Sequence, residues 1–310
     1  MALFLVTGGA GFIGSNLVQA LVERGDSVRV LDDYSTGKPE NLASVADRIE
    51  IVEGSVTDEP TVRRAMQDVE FVLHEGALAS VPRSVEDPLG SNVANVTGTL
   101  AVLLAARDAH VRRLVYAASS SAYGDQPALP KTEAMAPSPL SPYAVSKLAG
   151  EYYCQAFTEC YGLETVALRY FNVYGPQQSP QSVYAAVIPK LITAMLAGER
   201  PTIFGDGEQS RDFTYVADVV AANVLACTAP DAVGQALNVA CGQRYSLNDL
   251  VAALNRILGT DIAPIHAAAR AGDVKHSLAD ISAARTLLGY EPQFAFEDGL
   301  RRTVAWFQAK

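Results

Sequence analysis

Residues 6–17 read VTGGAGFIGSNL, with Gly8, Gly11 and Gly14 spaced at intervals of three. The stretch satisfies both Gly9-x-Gly11-x-x-Gly14 and Gly8-x-x-Gly11-x-x-Gly14. It follows the apolar run LFLVTG (3–8) and opens a helical pattern from Phe12 to Arg24 that Gly25 closes. Alone, such a loop is only a sharp turn. Between a strand and a helix, its glycines let a backbone approach a pyrophosphate, and the helix start supplies free amides and partial positive charge. Asp32, 18 residues beyond Gly14, ends the next apolar run (27–32). That spacing suits a carboxylate bonding the ribose hydroxyls of an adenosine. A 2′-phosphate would be repelled there, and DDYSTGK (32–38) has no Arg to receive one, so NAD is expected rather than NADP.

Outward from this loop, strand-like runs recur at 49–54, 70–76, 113–119 and 165–171, with helical patterns at 92–109 and 142–161 among them. The alternation predicts right-handed crossovers and a parallel sheet covered on both faces. The expected fold is therefore α/β, a doubly wound (Rossmann) sheet over 1–172, with elements of about 211–240 returning to it. A smaller C-terminal α/β substrate domain is expected over 173–310, where loops rich in Pro, Gly and Ser loosen the rhythm.

Composition narrows the partners. Of 310 residues, 24 are Lys or Arg and 34 are Asp or Glu, a formal charge of −10 without a basic run. Nucleic acid is not expected as a partner, since its binding needs clustered cations. No segment approaches the roughly 20 apolar residues of a membrane span, and MALFLV is too short for a signal h-region. The four cysteines form neither a CxxC pair nor a cluster with the four histidines, so no metal is expected and reduced thiols in the cytoplasm are.

In SPYAVSKLAG (141–150), Tyr143 and Lys147 share one helical face. Tyr-x-x-x-Lys is common by chance. Here a dinucleotide loop lies upstream, and the serine run Ser119-Ser120-Ser121 ends a strand 24 residues before the tyrosine. A tyrosine with a pKa of about 10 is a poor base at neutral pH. A lysine ammonium and a nicotinamide cation favour its phenolate, and Ser119 is placed to bridge the phenol and a reacting hydroxyl.

In order, TGGAGFIG, SSSAYG, SPYAVSK, RYFNVYGP and SRDFTYVAD resemble the extended short-chain dehydrogenase/reductases acting on nucleotide sugars. The resemblance spans essentially the whole chain. It is greatest to UDP-hexose 4-epimerases, particularly those acting on UDP-N-acetylglucosamine. It implies an NAD that stays bound, a tyrosine that takes the sugar 4-OH proton while hydride leaves C4, and a 4-keto sugar that rotates before hydride returns. Tyr143 would be the base, Ser119 its hydrogen-bond partner and Lys147 the residue that holds the ribose and tunes the tyrosine.

The resemblance further implies NAD contacts at Gly8, Gly11, Phe12, Ile13 and Gly14, then at Asp32, Ser35, Thr36 and Gly37. Gly76, Ala77 and Asn95 would line the dinucleotide, with Tyr170 and Phe171 beside the nicotinamide. Ser55 and Val56 stand at an adenine position that carries Asp in the family. For UDP, Asn172, Arg211 and Arg270 would meet the diphosphate and Asp273 a ribose hydroxyl. Phe204 would stack on uracil beside Thr202, and Val187 would face the uridine. Ser277, in GDVKHSLAD, replaces a bulky Tyr typical of enzymes restricted to plain UDP-hexoses, leaving room for an N-acetyl group. Ala79, Ser80, Ser121, Gln178 and Ala186 fall at the other sugar-pocket positions. SLAD also fits a helix-capping pattern. A homodimer through the 92–109 and 142–161 helices is implied as well.

Other readings stay open. A uronate 4-epimerase would use Arg83 in SVPRS for a carboxylate, and a non-catalytic NAD-binding redox sensor is a different class. Dehydratases carry Asp-Glu where this chain has Ser120 and Ser121.

Overall fold

A computed structural model describes residues 2–180, 187–268 and 275–310. Six strands of the main sheet are β1 (Leu3–Thr7), β2 (Ser27–Asp32), β3 (Glu50–Glu53), β4 (Phe71–His74), β5 (Arg113–Ser119) and β6 (Glu164–Tyr170). A seventh, Ala236–Val239, pairs with β6. The order is Ala236–Val239, β6, β5, β4, β1, β2, β3, and every pairing is parallel. The fold is thus the doubly wound α/β sheet expected. Its direction of winding reverses between β1 and β4, the place where such sheets open a ligand crevice at their carboxyl ends.

Each face of the sheet is covered. On one, Phe4, Val6, Val30 and Leu168 pack with Leu17 and Leu21 of the Phe12–Arg24 helix and with Val219 and Ala222 of the Val216–Ala226 helix. On the other, Leu5, Val72 and Leu114 meet Val102, Leu103 and Phe157. Strands buried on both faces read as continuous apolar runs, as these do. A third core joins Ile188, Leu191, Phe213, Leu250, Phe296 and Leu300.

Two elements differ from expectation. The helical run over 92–109 begins earlier, at Pro88, and contains a π-helical turn at Val93–Thr97 before Gly98–Asp108. At 21 residues, Pro88–Asp108 is also long and apolar enough by length and composition to cross a membrane, which corrects the sequence estimate; here Val102, Leu103, Ala105 and Ala106 are buried against the sheet. SLAD caps no helix: Ser277 pairs its amide with the Ser210 carbonyl, and the next helix starts at Ser282.

Candidate active site

The carboxyl ends of β1 and β4 touch. Gly8 has φ of +66°, and a Cβ there would stand 2.8 Å from the Gly76 Cα. A Cβ on Gly14 would stand 2.1 Å from the Gly8 carbonyl oxygen. Only glycine fits either place. The helix that follows starts after Gly11 with no side-chain cap, so its first amides point outward unclaimed by a side chain.

These features border a cleft of about 910 Å³. Its wall includes Gly8, Gly11, Phe12, Ile13 and Gly14 from the loop, Asp32 at the end of β2, and Ser35 and Thr36 beyond it. Ser55, Val56, Gly76, Ala77, Ala79 and Ser80 continue it, and Tyr143, Lys147 and Tyr170 complete it. The Asp32 carboxylate accepts from the Ala10 amide at 2.9 Å and the Tyr34 amide at 2.8 Å, which fixes it against the glycine loop. A glycine cradle, an uncapped helix start and a clamped acid together fit a dinucleotide.

Three expected cofactor residues lie behind this wall. Asn95, in the π-helical turn, is buried; it accepts from the Leu78 amide at 2.7 Å and donates to Ser146 Oγ at 3.0 Å. It shapes the segment after β4 and stands one layer back. Phe171 turns into the core against Tyr123, because successive side chains leaving β6 alternate and Tyr170 takes the cleft side. Gly37 packs under Ala10 and Asp32, where a Cβ would stand 2.9 Å from either.

Tyr143 enters the cleft from the first turn of the Pro142–Tyr161 helix, whose start Ser141 caps by accepting from the Ala144 amide. A second anchor is the Tyr143 amide, which donates to Ser84 Oγ at 3.0 Å. Ser119 Oγ accepts from Ser121 Oγ at 2.9 Å. Lys147, one turn on, is 4% exposed and donates from Nζ to the Ala117 carbonyl at 2.8 Å.

Burial holds the Tyr143 phenol above the ordinary tyrosine range, with the Ser119 hydroxyl pulling it down and the charge of Glu75 pushing it up. Burial also pushes the Lys147 ammonium below the ordinary lysine range, against the pull of Glu75. Sequence reasoning passed over Glu75, whose signal was a second carboxylate in EFVLHEG, placed at the end of the strand-like run directly before Gly76.

A second cavity of about 290 Å³ begins two residues past Tyr170. Asn172, Val187, Thr202, Phe204 and Arg211 line it. Arg211 is held by the Ser210 and Lys275 carbonyls at 3.0 and 3.1 Å. Ser277 lies in neither wall. It accepts from Asn172 Nδ2 at 3.0 Å. Gln178 donates to the Val173 carbonyl at 3.1 Å beside this cavity. Ala186, Arg270 and Asp273 lie outside the described residues.

The NAD dependent epimerase/dehydratase family model matches residues 4–240. A UDP-glucose 4-epimerase of Mycolicibacterium smegmatis is 41% identical over 310 residues, spanning 99% of this chain and 98% of its own. The solved UDP-N-acetylglucosamine 4-epimerase from Methanobrevibacter ruminantium, in complex with UDP-N-acetylmuramic acid, matches with a TM-score of 0.95 at 41% identity, over 99% and 98% of the two chains. A Thermus thermophilus UDP-glucose 4-epimerase solved with NAD matches with a TM-score of 0.89 at 36% identity, over 99% of both. The chain belongs to the NAD-dependent epimerase/dehydratase family of extended short-chain dehydrogenase/reductases, and its cofactor is NAD.

Proposed function

We propose that the protein interconverts UDP-N-acetylglucosamine and UDP-N-acetylgalactosamine at C4, and UDP-glucose and UDP-galactose with them. The observation that carries this is that the end of β6 and the residues just after it contribute to both cavities. Tyr170 lines the large cleft with Tyr143 and Lys147, while Asn172 lines the smaller one with Phe204 and Arg211. A nucleotide held in the smaller cavity would extend its sugar toward Tyr143. The aromatic face of Phe204 suits a base, and the guanidinium of Arg211 suits a diphosphate.

Bound NAD would supply the hydride acceptor and donor. Gly8, Gly11 and Gly14 would admit its diphosphate, Asp32 its adenosine ribose, and Lys147 its second ribose. Tyr143 then takes the proton of the sugar 4-OH and later returns it, with Ser119 orienting the phenol. Ser120 and Ser121 stand where dehydratases carry an acid pair, which disfavours dehydration. Arg83 stands in the cleft wall, and a uronate 4-epimerase is the second reading it supports. We further propose a cytoplasmic homodimer.

The test is direct. The purified protein, given UDP-N-acetylglucosamine and no added cofactor, should yield its C4 isomer by proton NMR, and Tyr143→Phe should lose about 10²- to 10⁴-fold in rate while keeping its NAD. Persistent epimerisation by Tyr143→Phe removes the tyrosine from the role of base. No C4 isomer from any UDP-sugar, with NAD present, leaves the redox-sensor reading instead.

A further inference from the structure

The backbone of Tyr143 is held by side chains on both its amide and its carbonyl. The amide donates to Ser84 Oγ at 3.0 Å, across 59 positions of chain. Ser84 is fully buried, and its hydroxyl proton goes to the Val81 carbonyl at 2.7 Å. The Tyr143 carbonyl accepts from Ser146 Oγ at 2.8 Å, and Ser146 Oγ accepts from Asn95 Nδ2 at 3.0 Å. Asn95 in turn accepts from the Leu78 amide at 2.7 Å. Both routes end in one stretch of chain, Leu78 to Val81. With Tyr143 they close a ring of hydrogen bonds in which Ser84 and Ser146 each give one and take one.

That stretch is cleft wall. Leu78, Ala79 and Ser80, with Arg83 one turn on, line the cleft that Tyr143 enters. Ser80 caps the Val81–Glu86 helix by accepting from the Arg83 amide at 3.2 Å, so the wall segment has its own local order. At the start of the Pro142–Tyr161 helix, Pro142 has no amide to satisfy. Ala144 donates to Ser141 Oγ at 3.1 Å and Val145 to the Ser141 carbonyl at 3.0 Å. Between them, the Tyr143 amide goes to another element. A cap needs only a nearby acceptor, as Ser141 shows. An acceptor carried by the cleft wall also fixes the distance from that wall to the tyrosine.

We propose that Ser84 is a positioning residue for Tyr143: it pins the tyrosine's backbone to the wall segment Leu78–Arg83 and so sets where the phenol stands against a bound sugar. This rests on the role of base given to Tyr143 above. Proton transfer needs base and hydroxyl within hydrogen-bond reach, and a displacement of about 1 Å can cost on the order of 10²-fold in rate. Removing Ser84 Oγ leaves the Tyr143 amide without its acceptor, and the first helical turn is free to move off the wall. Ser84 itself is fully buried and outside the cleft lining, so its effect reaches the reaction through Tyr143.

Three variants of the NAD-loaded enzyme separate the pin from an ordinary cap. Ser84→Ala removes the acceptor, Ser84→Thr keeps it, and Ser141→Ala removes the neighbouring cap while leaving the tie to the wall. Ser84→Ala should lower kcat on UDP-N-acetylglucosamine by about 10-fold, with KM and NAD content close to the parent's, and Ser84→Thr should recover most of it. Ser141→Ala, at a similar loss of Tm, should lose less kcat than Ser84→Ala. Equal kcat losses in the two alanine variants overturn the proposal, and so does a Ser84→Ala effect confined to KM. Selective nitrogen-15 labelling of the 13 tyrosines, with Tyr143→Phe to assign the signal, reads the pin without turnover. The Tyr143 amide should exchange with solvent about 10-fold or more faster in Ser84→Ala than in the parent. Equal exchange in both overturns the proposal, even where Ser84→Thr does not fold. Faster exchange in Ser84→Ala, beside a parent that epimerises no UDP-sugar, would refute the proposed function and leave the pin standing.

Discussion

Asn172 Nδ2 donates to Ser277 Oγ at 3.0 Å, joining two residues more than 100 positions apart at the rim of the smaller cavity. Asn172 holds φ at +34°, a left-handed conformation that Asn tolerates better than most residues. Its side chain also reaches the Asp212 carbonyl at 3.3 Å. Ser277 is therefore a brace for a cavity residue before it is a small residue leaving room.

This changes what a substitution should do. Ser277→Tyr removes the acceptor and adds bulk, so it should raise KM for every UDP-sugar and cost the acetylated sugars more. Ser277→Ala removes only the hydrogen bond, worth about 0.5–1.5 kcal/mol, and should raise all KM values by roughly 2- to 10-fold without changing their ratio. Steady-state rates on UDP-glucose and UDP-N-acetylglucosamine separate the two effects. Equal losses on both sugars in Ser277→Tyr would leave the brace as its entire contribution.

Lys147 should give the pH profile its alkaline limb. Burial depresses its folded value, so the ammonium is lost as pH rises, before the ordinary lysine value of about 10.4 is reached. Activity should fall on that side, and kcat/KM measured from pH 6 to 11 should place the falling midpoint well below 10.4. A midpoint at or above that value would mean that the ammonium is not the group required.

The sheet and the glycine loop were legible because their determinants are local. Buried parallel strands read as apolar runs, and Gly8 and Gly14 stand where a side chain has no room. The strand Ala236–Val239 was harder, since Asn238 interrupts a short run. That Asn is fully buried and satisfied only by tertiary partners: the Tyr123 hydroxyl, the Lys131 and Asp280 carbonyls, and Glu133. Asn95 and Phe171 were read as cleft residues from their motifs. A π-helical turn and strand alternation put them one layer back, and neither is visible in residue type. The charge in EFVLHEG was visible, but its meaning depends on Tyr170 arriving from a strand 95 positions away.

The smaller cavity predicts a division of labour in nucleotide affinity. Phe204→Ala should lose a stacking face worth about 1–3 kcal/mol, and Arg211→Ala a charge-assisted bond worth about 1.5–3 kcal/mol. Each should weaken UDP binding by roughly 5- to 150-fold in titration calorimetry and leave the NAD content of the purified protein unchanged. Loss of NAD together with UDP would instead place these residues in service of the large cleft.

Arg169 on β6 donates to both Glu151 oxygens, at 2.9 and 2.6 Å, and to the Tyr123 hydroxyl at 2.8 Å. Both charged side chains are buried, 5% and 7% exposed. The pair ties the Pro142–Tyr161 helix, and with it Tyr143, to the sheet. Removing one partner leaves the other charge buried and alone, which costs about 3–5 kcal/mol. Arg169→Met and Glu151→Leu should each lower Tm by several degrees, and the double variant should recover part of the loss. Additive losses would show that the pair is not a unit.

Val145 and Tyr152, two turns apart on the Pro142–Tyr161 helix, are 53% and 51% exposed. On the neighbouring helices Val85 and Leu89 are 64% and 73% exposed. Isolated exposed apolar residues are ordinary, but a contiguous patch spread over packed helices marks an interaction surface. An isologous contact would lay this patch on its own copy, burying each residue twice. Leu89→Glu and Val145→Glu each place two charges in such a contact. Sedimentation equilibrium should find the parent as a dimer and each variant shifted to monomer, with Tyr143 and Lys147 left in place because the substituted side chains point away from the cleft. A monomeric parent, or variants that dimerise as the parent does, would remove this face from the assembly.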